Sequence, residues 1–113
     1  MNMEEVFRQC RFSKRYYGYR ALQECLQIVM EDEDRLLCVT GIYMEAARRC
    51  QTSQQRVERN IRTMLEESWR NGGRETLEKM AGGKLYARPS VGEALEMLSC
   101  YLKEQAGEEG RKE

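Results

Sequence analysis

No histidine occurs among the 113 residues, and only one proline, Pro89. The first absence removes the side chain that most often acts as a general base near neutral pH or as a neutral metal ligand. Five cysteines are present, Cys10, Cys25, Cys38, Cys50 and Cys100, but no two form a C-x-x-C pair. That spacing argues against a structural zinc site and against a disulfide framework. The cysteines are expected to be small buried apolar groups in a reducing compartment. The carboxylates are spread over helical surfaces, so no acid/base pair and no activated nucleophile stands out. "AGGKLY" lacks the spacing of a phosphate-cradling loop, and Gly82 and Gly83 read as a turn. No enzyme activity, cofactor or metal is therefore expected. There is also no apolar run of about 18 residues and no signal-peptide pattern, so the expectation is a cytoplasmic chain without a membrane span. Nineteen basic and nineteen acidic side chains cancel, so any nucleic-acid surface must come from local clustering.

Such clustering exists. Residues 8–20 carry Arg8, Arg11, Lys14, Arg15 and Arg20 without an acid, and a solid acidic run, Glu31 to Asp34, follows. Basic residues return from Arg48 onward. A single proline and long stretches of 3.6-residue apolar periodicity predict an all-α fold, a compact bundle of about six helices containing a helix-turn-helix. At this length one domain is expected, over 1–105, with a polar flexible tail at 106–113. The first helix would use Val6, Phe7 and Cys10. A second, from Gly18, would bury Leu22, Cys25, Leu26 and Val29, and a short third would carry Leu36 and Leu37. The fourth would turn Ile42, Ala46, Ala47 and Cys50 inward. Further helices are expected near Thr76 to Met80 and after Ser90, where Ser90 and Glu93 match a capping box. The methionines fall mostly at core spacing.

Between these lies "TSQQRVERNIR", which concentrates Arg56, Arg59 and Arg62 around apolar Val57 and Ile61. Thr52 and Gln55 match a T-x-x-Q capping box, so a helix is predicted over 53–71, ended by Gly72 and Gly73. Its inner stripe would be Val57, Ile61, Met64, Leu65 and Ser68. At 100° per residue the opposite face centres on Gln55, Arg59, Arg62 and Glu66, with Glu58 and Thr63 at its margins. Ala47 and Val57 sit where a helix-turn-helix needs a small residue and an apolar one. Arginine donates two parallel hydrogen bonds to guanine, and glutamate accepts from cytosine, so such a face suits base reading in a major groove. Arg48, Arg49, Thr52, Ser53 and Arg56 are candidates for phosphate contacts beside the helix start. A bland reading competes with this one: a solvated face on which Glu58 and Glu66 pair with Arg62, worth about 0.3–0.5 kcal/mol per pair.

The strings "RVER-IR", "EESWRNGG" and "RPS-GEAL", with "GYRALQECLQIV" upstream, resemble the DNA-binding effector domain of the sporulation master regulator family. The resemblance implies a six-helix fold with a helix-turn-helix that binds double-stranded promoter DNA, as adjacent copies or a dimer on tandem boxes, and RNA polymerase or a sigma factor as a further partner. By the same resemblance, base-reading positions fall on Gln55, Glu58, Arg59, Arg62 and Thr63. Glu58, Arg59 and Arg62 match the family pattern, and its arginine at Arg56 is retained. Gln55, Asn60 and Thr63 depart from the usual serine, alanine and histidine, which leaves the central bases of the box assigned and its flanks open. The family's receiver domain has no room in 113 residues, so control by phosphorylation in the same chain is not expected. The alternative is a helical protein-interaction module that modulates a related regulator or RNA polymerase without binding DNA, using Tyr16, Tyr17, Tyr19 and the basic stretch before them.

Overall fold

The structure, a computed structural model, describes residues 2–111, with side-chain surroundings as far as Gly107. Among the described residues it is all helical. Six α-helices follow in order: α1 (Met3–Gln9), α2 (Tyr17–Glu31), α3 (Val39–Cys50), α4 (Gln54–Ser68), α5 (Arg74–Ala81) and α6 (Val91–Arg111). A 3₁₀ turn, Glu33–Leu37, links α2 to α3, and a kinked segment, Trp69–Gly73, links α4 to α5. The backbone is helical to Arg111, and the remainder of the tail expected at 106–113 lies outside the described residues.

α2 is the central element, packed against α3, α4 and α6. Its apolar stripe, Leu22, Cys25, Leu26 and Val29, is fully buried, as the periodicity requires. Where α2 begins, Tyr19 meets Phe7 of α1 edge to face at 5.1 Å between ring centroids, and Phe7 meets Phe12 in the same way at 5.4 Å. This aromatic cluster fixes the segment between α1 and α2 by area burial and by favourable ring-edge geometry. On the other side, the Ser68 hydroxyl donates to the carbonyl of Cys10 at 2.5 Å, tying the end of α4 to the end of α1. Ser90 and Glu93 form the expected reciprocal cap: the Ser90 N–H donates to the Glu93 carboxylate (2.9 Å), and the Glu93 N–H donates to the Ser90 hydroxyl (3.1 Å). The hydrogen bond from the Ser90 backbone holds the Glu93 carboxyl below its ordinary range. Glu93 therefore adds stability that is present at neutral pH and is lost as the pH falls through that lowered value.

The expectations for the short third helix and for the cysteines are corrected. Leu37 is 89 % exposed, because a five-residue 3₁₀ turn has no continuous inner stripe, and only Leu36 reaches the core. Cys38 and Cys100 are exposed and Cys50 is half-buried, so only Cys10 and Cys25 behave as core residues. The methionines fall mostly as expected: Met3, Met64, Met80 and Met97 pack on or in the core, whereas Met30 and Met44 face solvent. Burial pushes the Cys10 and Cys25 thiols up to about 12. Since the thiolate is the reactive form, titration of the native protein with a thiol reagent is expected to modify exposed Cys38 readily, Cys100 more slowly because desolvation and the Glu104 carboxylate raise its thiol, and Cys10 and Cys25 only on unfolding. Rapid native labelling of Cys25 would contradict this packing.

Candidate nucleic-acid interface

α3 and α4 are joined by a turn of three residues, Gln51 to Ser53. Gln51 takes the left-handed conformation (φ 55°, ψ 49°), and the Thr52 N–H donates back to the carbonyl of Ala47 at 2.9 Å, closing the end of α3. A non-glycine residue in that region costs about 1–2 kcal/mol, and Ala47 and Val57 on either side of the turn are buried. The amide of Thr52 is thus committed to α3. The cap of α4 falls to Ser53, whose hydroxyl accepts from the Arg56 N–H at 3.2 Å. The expected Thr52–Gln55 box is therefore corrected by one residue. Ser53→Ala is expected to lower stability by about 1 kcal/mol and Thr52→Ala by much less, measured by denaturant unfolding. Equal losses would show that the cap is misassigned.

α4 spans about 22 Å at 1.5 Å per residue. Val57, Ile61, Met64, Leu65 and Ser68 are buried, so one side is wholly committed to the core. The opposite side presents Gln55, Arg56, Arg59, Arg62 and Thr63 to solvent, with Glu58 half-buried at one margin. Around the helix the order is Glu58, Arg62, Gln55, Glu66, Arg59, Thr63, Arg56 and Asn60. Arg62 bonds to Glu58 at 2.9 Å, one of the pairs of the bland reading. Glu66 instead turns to Arg88 at 3.7 Å. Among the described residues Arg56 and Arg59 have no carboxylate partner. No other described residue neutralises their charge.

The candidate phosphate contacts divide. Thr52, Ser53 and Arg56 stand together at the start of α4, and Arg48 is exposed on the last turn of α3, paired with Glu45. Arg49 lies among Glu24 (3.5 Å), Glu31 (3.5 Å) and Glu45 (3.6 Å), with its side chain 31 % exposed. It fastens α3 to α2 instead of projecting outward. The Arg20 guanidinium adds a bond to the carbonyl of Arg49 at 3.2 Å. The residue that sequence reasoning passed over is Gly18. A Cβ placed there would lie 2.3 Å from the carbonyl oxygen of Asn60, so α2 touches α4 backbone to backbone beside the exposed face. Its signal in the sequence was the glycine at the start of a helix, where no turn demands one.

Tyr19 is buried against Phe7, whereas Tyr17 is 85 % exposed and Tyr16 lies at the surface. All three nevertheless line one groove beside α4, to which they contribute unequally. A protein-family model described as "Sporulation initiation factor Spo0A C terminal" matches residues 3–102, from the start of α1 well into α6.

Proposed function

The chain belongs to the family of the sporulation initiation factor Spo0A C-terminal domain, and we propose that it is a sequence-specific reader of double-stranded DNA that regulates transcription, with α4 lying in the major groove. The observation that carries this reading is the outward face of α4. It presents three arginines on a rigid helix whose other side is wholly buried, and two of them, Arg56 and Arg59, have no carboxylate partner among the described residues. A helix held in this way presents fixed donors to base edges and spends little conformational entropy on binding. Arg59, at the centre, donates a bidentate pair to one guanine, while Glu58 and Arg62 exchange their mutual bond for contacts to neighbouring base pairs. Gln55 and Thr63 read the flanks. Ser53, Thr52, Arg56 and Arg48 position the duplex through its phosphates. Adjacent copies on tandem boxes, and contact with RNA polymerase or a sigma factor, belong to the same proposal.

The test is selection from random duplexes by the purified protein at physiological salt. One short enriched box is expected. No enrichment by a folded, helical protein would overturn the reading and favour a protein partner instead.

A further inference from the structure

Between the segment leading into α2 and the exposed side of α4 lies a groove of about 800 Å³. Five cations line it, Lys14, Arg15, Arg20, Arg56 and Arg59, and no carboxylate does. In a chain with equal numbers of acids and bases, this is a segregated charge. We propose that the groove holds the sugar-phosphate backbone of one DNA strand, so that Lys14, Arg15 and Arg20 form a second contact element beside the base-reading helix. This rests on the DNA-reading function of α4 given above.

The placement follows from the packing. Gly18 brings the start of α2 against the carbonyl of Asn60, so Lys14, Arg15 and Arg20 gather on the edge of α4 that carries Arg56 and Asn60. The other edge carries Glu58, with Glu66 near the centre bonded to Arg88. A helix seated in the major groove has a phosphate strand on either side. On the Asn60 edge that strand meets a groove with no carboxylate in its lining. Tyr16, which caps α2, makes no side-chain bond to the helix start, and the first turn contains no acid, so the positive end of the helix dipole adds to the same field. Lys14 is bonded to Glu4 at 3.2 Å, but both side chains are more than half exposed. Such a pair is worth little and exchanges readily for a phosphate. Arg15 forms no ion pair among the described residues. The expected footprint is therefore asymmetric, reaching further on one strand than the base-reading residues require.

Counterion release supplies the test. Each phosphate neutralised on B-DNA contributes about −0.9 to the slope of log Kobs against log salt. Lys14 and Arg15 are exposed, so Lys14→Gln/Arg15→Gln should fold as the parent does, checked by circular dichroism. For the double variant the slope on the selected duplex is expected to become shallower by about 1.8, roughly a 30-fold loss of affinity at 0.15 M salt, with base preference unchanged. Lys79→Gln/Lys84→Gln, an equal charge change at exposed positions of α5 and the loop after it, should leave the slope as it was. An unchanged slope in the double variant, with the parent still binding its box, would overturn the groove assignment alone. If the parent shows no salt-dependent, sequence-preferring binding, the reading of α4 fails first and the groove assignment with it.

Discussion

Arg59→Ala is expected to weaken binding to the preferred box by about 1–3 kcal/mol, roughly 5- to 150-fold, and to flatten the preference at one base pair. Arg59 sits at the middle of the exposed face of α4 and has no carboxylate partner among the described residues. No bond to another described residue is surrendered when it binds, so two of its donors can be given to the base at no internal cost. Arg62 differs, because it must first give up Glu58 at 2.9 Å, and its removal should cost less. Arg59→Lys keeps the charge but loses the planar fork, so general affinity should largely survive while the guanine preference falls. None of these changes should move the melting temperature appreciably, since the side chain is outside the core. Competition titrations against single-base variants of the box provide the measurement. Unchanged affinity and unchanged preference in Arg59→Ala would remove the base-reading assignment.

Gly18→Ala is expected to destabilise the fold by about 1–3 kcal/mol, even though alanine is the better helix former by about 1 kcal/mol. The competing terms differ in what can yield. An added methyl at Gly18 meets the carbonyl oxygen of Asn60 at 2.3 Å and its carbonyl carbon at 2.8 Å, and these are main-chain atoms of a hydrogen-bonded helix. Relief requires α2 and α4 to move apart, which loosens contacts along the core and also shifts α4 relative to the turn that seats it. A loss of DNA affinity should accompany the loss of stability. Gly107→Ala is the contrasting change: nothing lies within 4 Å of a Cβ there, and the expected effect is neutral or slightly stabilising. Thermal melts of the two variants decide the matter. A Gly18→Ala protein as stable as the parent would contradict the close approach of the two helices.

The sequence carried the helical stripes well and the junctions poorly. Val57, Ile61, Met64, Leu65 and Ser68 are all buried, because a 3.6-residue period over four turns can face only one way. The outward side of α4 follows from the same arithmetic, and so does the exposure of Gln55, Arg59, Arg62 and Thr63. The cap slipped by one residue, since Thr52 and Ser53 have similar side chains. Which of them caps α4 depends on the preceding helix, whose last turn takes the Thr52 amide. Arg49 could not be placed from the sequence, because Glu24 and Glu31 belong to α2, many residues upstream. Cys38 was read as buried from its type alone, yet it follows a short 3₁₀ turn at the surface. The basic stretch at 8–20 was legible in the sequence, but its meeting with α4 was not. Lys14, Arg15 and Arg20 meet Arg56 and Arg59 only once Gly18 has docked on Asn60.

Chemical-shift mapping of isotope-labelled protein, titrated with the duplex recovered by selection, reports directly on which surface meets the bases. The arginine side-chain N–H signals of Arg59 and Arg62, with the amides from Ser53 to Thr63, should show the largest changes, while the surface formed by α5, the loop at Tyr86 and α6 stays unperturbed. Changes centred on that second surface, with α4 silent, would mean that the exposed arginines of α4 do not read DNA.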